Sequence, residues 1–237
     1  MAKTPVNTTA VQEAEYKDLF FTLFPGLGEE LIRTIKSEIQ LQTVRKNGFI
    51  YREGDTPQGF LCLLHGSAKV VTAGVTGRSQ IIRLVKPTGI LGYRALFAGE
   101  NYRFSAKALD TSVIGFIGKA AFSRIVRSNG EVALHILRAI ASELGFSNIR
   151  TVALTQKYVR GRLADSLLFL IDLYGLTPDG LLAVSLSRED LGQLSSMTTS
   201  NAIRTLSAFS SEGIIALIGK RIKILERDRL EKISERG

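Results

Sequence analysis

The sequence predicts an α+β chain built from an antiparallel β-roll, a long helix and a C-terminal winged helix-turn-helix. Three observations predict it. Short β-rich runs punctuated by glycine fill residues 40–118, and a helical stretch with heptad spacing fills residues 119–154. Residues 186–206, LSREDLGQLSSMTTSNAIRTL, read as two short helices joined by a tight turn.

The 237 residues, 45% of them hydrophobic, suffice for a full core and fit two modest domains. No apolar run approaches the roughly 18 residues needed to span a membrane. The first residues lack the basic-then-apolar order of a signal peptide, so the expected location is the cytoplasm. The single cysteine, Cys62, cannot form an internal disulfide or hold a metal alone, and it reads as a small buried strand residue. His65 and His135 show no ligand spacing, so no metal or cofactor is expected. No paired carboxylates or nucleophile–base cluster nominate a catalytic residue, so no enzymatic activity is expected.

The net charge of +9 favours polyanions, but its distribution is uneven. Residues 1–156 hold 19 Lys+Arg against 12 Asp+Glu, whereas residues 157–237 hold 12 against 10. The excess therefore lies mainly outside the part that reads as DNA-binding.

In chain order, Leu19, Phe20, Leu23, Phe24, Leu27, Leu31, Ile32 and Ile35 have helical spacing interrupted by Pro25-Gly26, which predicts two short helices. The glycine-punctuated runs then predict the roll. Between two of its strands, Gly92 to Phe97 form a turn into a short helical piece, followed by Asn101, Tyr102, Arg103, Phe104 and Ser105. Backbone N–H groups at a glycine-led helix start suit an anion. A surface helix over the mouth of the roll fits the same spacing.

The long helical stretch has a break near Ser128, Asn129 and Gly130. Beyond it Ala133, Leu137, Ile140, Leu144, Ser147, Thr151 and Leu154 follow 4-3 spacing, the seam of a two-chain coiled coil or a face packed on the chain's own roll. Thr155, Gln156 and Lys157 form a candidate hinge. A further amphipathic helix carries Val159, Leu163, Leu167, Phe169 and Leu170, and the loop YGLTPDG follows it.

Ser187 is placed to cap the next helix, with Asp190 at the capping-box position and Leu191 and Leu194 on one face. Ser195, Ser196 and Met197 break the pattern. Thr198 can cap a second helix with Ala202, Ile203, Leu206 and Phe209 on its apolar side. The other side shows Thr199, Ser200, Asn201 and Arg204, groups able to bond base edges or phosphates in the major groove. After the stop at Glu212-Gly213, residues 214–218 and 221–225 flank Gly219-Lys220 as a hairpin, the wing. Two packed helices and an edge hairpin in an unrelated α+β domain are the alternative.

Taken in order, these pieces resemble the cyclic-AMP receptor and fumarate–nitrate regulator (CRP/FNR) family of bacterial transcription factors. The resemblance rests on the turn glycines Gly54, Gly66, Gly77, Gly89 and Gly92, on Val159-Arg160-Gly161-Arg162-Leu163-Ala164, and on Ser187-Arg188 through Arg204. It implies a cyclic-nucleotide-binding-like jelly roll with N-terminal helices over residues 1–118, a dimerisation helix and hinge over 119–156, and a DNA-binding domain over 157–237. It also implies an effector pocket at Gly92, Tyr93, Arg94, Arg103, Phe104 and Ser105. Members that bind cyclic AMP carry there a Gly-Glu pair for the ribose and an Arg-Ser pair for the phosphate. Here Tyr93 stands at the acidic position and Phe104 follows Arg103, with Ser105 displaced by one. Loss of a charged hydrogen bond costs about 1.5–3 kcal/mol, so cyclic AMP is not the expected effector. The roll is expected either to be filled by its own side chains or to take another ligand through Arg103.

In the resembling recognition helix a glutamate precedes an arginine by four residues. Arg204 matches the arginine, but Ser200 stands at the glutamate position, so the usual half-site is not implied. Arg188, Thr198, Asn201 and Lys220 fall where members contact phosphates. The expected protein is a homodimer on a two-fold-symmetric DNA operator, with recognition helices about 34 Å apart and an effector that shifts them through the hinge. RNA polymerase is the further partner that an activating surface would touch. The rival is a sensor or interaction protein that uses the roll for a ligand and the C-terminal domain for protein contacts.

Overall fold

The computed structural model describes residues 10–74, 79–128 and 130–237. Gly77 and Asn129, named above for a roll turn and a helix break, lie outside the described residues. The described residues divide into two compact units, one within residues 1–72 and 82–143 and the other within residues 73–81 and 144–237.

The first unit begins with α1 (Ala10–Phe21) and α2 (Glu29–Glu38), separated around Pro25-Gly26 as the spacing predicts. Strands β1 (Gln40–Val44), β2 (Phe49–Tyr51), β3 (Gly59–His65) and β4 (Ala68–Ala73) follow. Then come β5 (Ser79–Val85), β6 (Ile90–Leu91), α3 (Tyr93–Ala98), β7 (Ser105–Ala108) and β8 (Ser112–Gly118). They form two antiparallel sheets, β1-β8-β3-β6 and β2-β7-β4-β5. This is the roll.

Alternation along each strand divides the interior into two clusters. Between the sheets lie Val44, Leu63, Val70, Val85, Leu91, Ala106 and Ile114. On the far side of the first sheet, Phe60 joins Phe20, Phe24, Ile35 and Ile125 beneath the helices. Phe60 stacks on Phe122 of α4 (Lys119–Ser128) at 4.5 Å. Each such phenyl contributes roughly 1.5–3 kcal/mol by leaving water, which is why the helices close over this sheet. Val132 and Ile136 at the start of α5 (Gly130–Gln156) complete the cluster.

The second unit continues from the C-terminal half of α5 into α6 (Val159–Tyr174), with Lys157 and Tyr158 between them. Then follow α7 (Arg188–Leu194), α8 (Thr199–Ser211), the hairpin β9 (Ile215–Ile218) with β10 (Arg221–Ile224), and α9 (Arg227–Arg236). Leu163, Leu167 and Leu170 of α6 are fully buried, with Leu191, Leu206, Phe209 and Leu230 supplied by the later elements. These side chains fix α7 and α8 on a common support.

Candidate nucleic-acid interface

The first helix of the pair starts where Ser187 Oγ accepts the amide of Asp190 at 3.0 Å while the Ser187 amide donates to Asp190 Oδ2 at 3.2 Å. Asp therefore completes the capping box despite being one methylene shorter than Glu. Leu191 and Leu194 are buried, and Gly192 between them meets the turn: a Cβ there would stand 3.1 Å from the Met197 carbonyl oxygen. The Met197 amide donates to the Gly192 carbonyl at 2.9 Å, so the close approach is what seals the turn. Ser196 adopts φ 51, a left-handed conformation unfavourable for a residue with a Cβ.

Thr198 Oγ1 accepts the amide of Asn201 and caps α8. Ala202, Leu206 and Phe209 are buried as predicted. Ile203 is not: it is 47% exposed, and Thr205 lies in the core in its place. With 3.6 residues per turn, 202, 205, 206 and 209 form one stripe, and 203 falls about 100° away from it. The exposed face of α8 consists of Thr199, Ser200, Ile203, Arg204, Ser207 and Ser211. On it Arg204 Nη2 donates to the side-chain carbonyl of Asn201 at 2.5 Å, which fixes the guanidinium along the helix.

The two-residue turn Gly219-Lys220 joins Ile218 to Arg221, with Lys220 exposed at its tip. Arg188 Nη2 donates to the Gly219 carbonyl at 3.2 Å, while its Nη1 is buried with no hydrogen-bond partner in the structure. Burial lowers the pKa of Arg188 from its ordinary value. Arg188 thus ties α7 to the wing.

Two positioning arginines carry no motif signal of their own. Arg162 donates from Nε to Ser195 O at 3.1 Å, from Nη2 to Ser196 O at 3.4 Å and from Nη1 to Lys157 O at 3.1 Å, so it holds both the helix-turn-helix turn and the residue before α6. Arg160 forms two bonds to the Glu212 carboxylate, at 2.7 and 2.8 Å, and lies over the Phe209 ring. That pairing holds the Glu212 carboxyl below its usual range. Both arginines belong to the VRGRLA segment, but only the fold shows their partners.

In the roll, the predicted effector residues have different surroundings. Gly92, with φ 65, starts α3, and a Cβ there would lie 2.5 Å from the Tyr102 ring. Tyr93 turns toward a cavity of about 300 Å³ also lined by Arg83, His135 and Glu143. Burial, then a hydrogen bond with Glu143, pushes its phenol well above the ordinary range, and Glu143 pairs with Arg83 at 2.8 Å. Arg94 and Arg103 both bond Glu100, at 2.9 and 3.1 Å. Phe104 is half-buried and, like Ile50, Tyr51 and Leu61, packs against the core between the sheets. Tyr51 stacks on Tyr102 at 3.9 Å, and burial pushes the Tyr102 phenol up to about 12. Ser105 Oγ accepts the Glu53 amide at 3.0 Å. Arg103 and Phe104 line one cavity together with Glu53 and Glu100, whereas Tyr93 lines another.

Along α5, Leu137 and Leu144 are 59% and 62% exposed, and Ser147 and Thr151 are exposed as well. Ala133 and Leu154 are half-buried, and Ile140 packs against the roll's own aromatic cluster. Among the described residues no three His, Cys, Asp or Glu side chains gather as a metal site, and no helix is long and apolar enough to cross a membrane.

Comparison with known proteins agrees with both halves of this architecture. Residues 41–129 match the model of the cyclic nucleotide-binding domain, and residues 161–233 match that of the Crp-like helix-turn-helix domain. The chain is 23% identical over 212 residues to the CRP-like cAMP-activated global transcriptional regulator of Mycobacterium tuberculosis, covering 89% of this chain and 95% of that one. It is 23% identical over 194 residues to the fumarate and nitrate reduction regulatory protein of Escherichia coli, covering 81% and 77%. The structure of FixK2 from Bradyrhizobium japonicum shares the fold, with a TM-score of 0.74, 23% identity, and coverage of 82% and 96%.

Proposed function

The chain belongs to the CRP/FNR family of bacterial transcription regulators, and from that premise we propose how it reads DNA: as a homodimer that sets one α8 into each of two major-groove segments of a two-fold-symmetric operator. Residues 1–118 sense, residues 119–156 dimerise and bend, and residues 157–237 bind DNA. Arg204 takes a guanine through its two-pronged guanidinium, the commonest specific base contact. Thr199, Ser200 and Asn201 contribute further groove contacts, and Thr198, Asn201, Arg188 and Lys220 hold phosphates. Arg188 does so from a partly buried position, so much of its effect passes through the wing. The dimer closes along Ala133, Leu137, Ile140, Leu144, Ser147, Thr151 and Leu154. The protein works in the cytoplasm, performs no catalysis, and meets RNA polymerase when it activates.

The observation that carries this reading is the placement of Arg204. Its guanidinium is held by Asn201 on the exposed side of a helix whose other side is fully packed.

The effector is not cyclic AMP. Tyr93 offers no carboxylate acceptor, Phe104 packs against the core between the sheets instead of offering a hydroxyl, and any anion at Arg103 or Arg94 must compete with Glu100. Calorimetry with millimolar cyclic AMP is expected to show no saturable binding. A micromolar dissociation constant abolished by Arg103→Ala would overturn this.

The test of DNA reading is to select duplexes from a random pool with the full chain and measure affinity for the selected and random sequences. Arg204→Ala is expected to lose about 1–3 kcal/mol, roughly five- to 150-fold, on the selected sequence alone and to relax one position per half-site. Lys220→Ala should weaken all duplexes alike and reduce the salt slope by about one. An equal loss on selected and random DNA for Arg204→Ala would remove its base-reading role.

A further inference from the structure

A cavity of about 600 Å³ opens within the second unit, between α5 and α6. Phe146, Ile149 and Ala153 of α5 line one side, Leu168 and Phe169 of α6 line the other, and Leu194 at the end of α7 adds to the wall. Its volume falls in the range of about 300–1,000 Å³ typical of sites for small molecules. The helices leave this gap because α6 turns Leu163, Leu167 and Leu170 into the core, whereas Leu168 and Phe169 stay half-buried. Phe146 and Phe169 stack ring on ring at 4.7 Å, which offers a flat aromatic surface to a further ring.

The charged side chains of the wall are engaged. Lys157 Nζ donates to Asp165 Oδ1 at 2.9 Å and to Ser234 Oγ at 3.2 Å. Arg150 Nη2 donates to the carbonyls of Ile81 and Leu194, both at 2.7 Å. Arg227 Nη2 donates to Asp172 Oδ1 at 3.3 Å. A charged ligand would leave water and find its counter-charges already paired, which is unfavourable. The wall therefore suits an uncharged compound.

A second copy does not account for this side of α5. Ala153 stands about 180° round the helix from Leu144, which is 62% exposed and belongs to the seam proposed for the dimer. A partner helix on that seam leaves the cavity uncovered. The wall does reach the helix-turn-helix turn, however. Arg150 holds the last carbonyl of α7, and the Oγ of Ser166, also on the wall, accepts the Ser195 hydroxyl at 2.8 Å. We propose that this cavity is an effector site for an uncharged aromatic compound. Resting on the DNA-binding reading above, its occupancy is coupled to DNA affinity through Arg150 and Ser166.

The test titrates the full chain with N-phenylnaphthylamine, an uncharged aromatic amine whose emission rises in apolar surroundings. The chain contains no tryptophan, so the probe is read against tyrosine alone. Saturable binding and a higher melting temperature are expected, with weaker binding of anilinonaphthalene sulfonate, the same ring system carrying a negative charge. Ala153→Phe fills the cavity and should weaken the probe several-fold. Ile149→Asp puts a charge on the wall and should do the same, and because Ile149 is 72% exposed this variant keeps the fold. Saturating probe should change affinity for the selected duplex several-fold in the wild-type chain and leave Ala153→Phe unaffected.

An absence of saturable binding, or binding that both variants retain, overturns the site. Tighter binding of the sulfonate overturns the uncharged class of ligand. Saturable binding with duplex affinity unchanged overturns the coupling. If the chain selects no duplex at all, the DNA-binding reading falls, while the titration still decides the site.

Discussion

Arg162 shows how one side chain sets the geometry of a DNA-reading element without facing DNA. Its three donors occupy the carbonyls of Ser195, Ser196 and Lys157, and Ser196 is the residue held at positive φ in the turn. Strain of this kind persists only where neighbours over-determine it. Arg162→Met keeps the stem but removes the donors, and should cost about 1.5–3 kcal/mol of stability, the range for hydrogen bonds to a charged group. Urea unfolding of the full chain checks this. A loss of DNA affinity with stability unchanged would mean that Arg162 touches DNA itself. Glu212 adds a pH dependence of known sign. Its folded pKa is lowered by Arg160, so its contribution is present above the unfolded carboxylate pKa and is lost as pH falls through the folded one.

At the scale of elements, α5 carries two apolar stripes that the sequence period alone does not separate. Val132, Ile136 and Ile140 face the roll, whereas Leu137 and Leu144 remain in contact with solvent. Heptad spacing found the helix and its exposed leucines, but it also included Ile140, because positions three and four apart on one helix share a broad face. If the outward stripe is the dimer seam, Leu137→Asp with Leu144→Asp should yield monomers by placing unpaired carboxylates in the interface. Sedimentation showing an unchanged dimer would place the interface elsewhere. The capping residues Ser187 and Thr198 were legible because capping is local chemistry. The burial of Thr205 instead of Ile203 was not, since it depends on the rotation of α8 against α6.

For the whole molecule, the order of parts was legible because glycine-punctuated strands, a long helix and a capped helix pair each leave a local signature. The separation of Tyr93 from Arg103 and Phe104 was not. It arises from a partner distant in sequence, Glu143, which bonds Tyr93. A protein that gains stability from a second copy has a melting temperature that rises with protein concentration. Calorimetric scans over a hundredfold range of concentration are expected to show that rise for the wild-type chain and none for the doubly substituted seam. A concentration-independent transition in both would count against coupling of folding and dimerisation.

The outward position of Ile203 carries a consequence at the level of single methyl groups. Between Ser200 and Arg204 on the exposed face of α8, a branched aliphatic side chain has nothing to donate or accept. Its natural counterpart in a major groove is the C5-methyl of thymine. If Arg204 takes a guanine as proposed, the selected operator should contain a thymine adjacent to it. Replacing that thymine with uracil removes the methyl while keeping base pairing, and should weaken wild-type binding several-fold but leave Ile203→Ala indifferent. Equal sensitivity of the two proteins would show that Ile203 does not sense the methyl group.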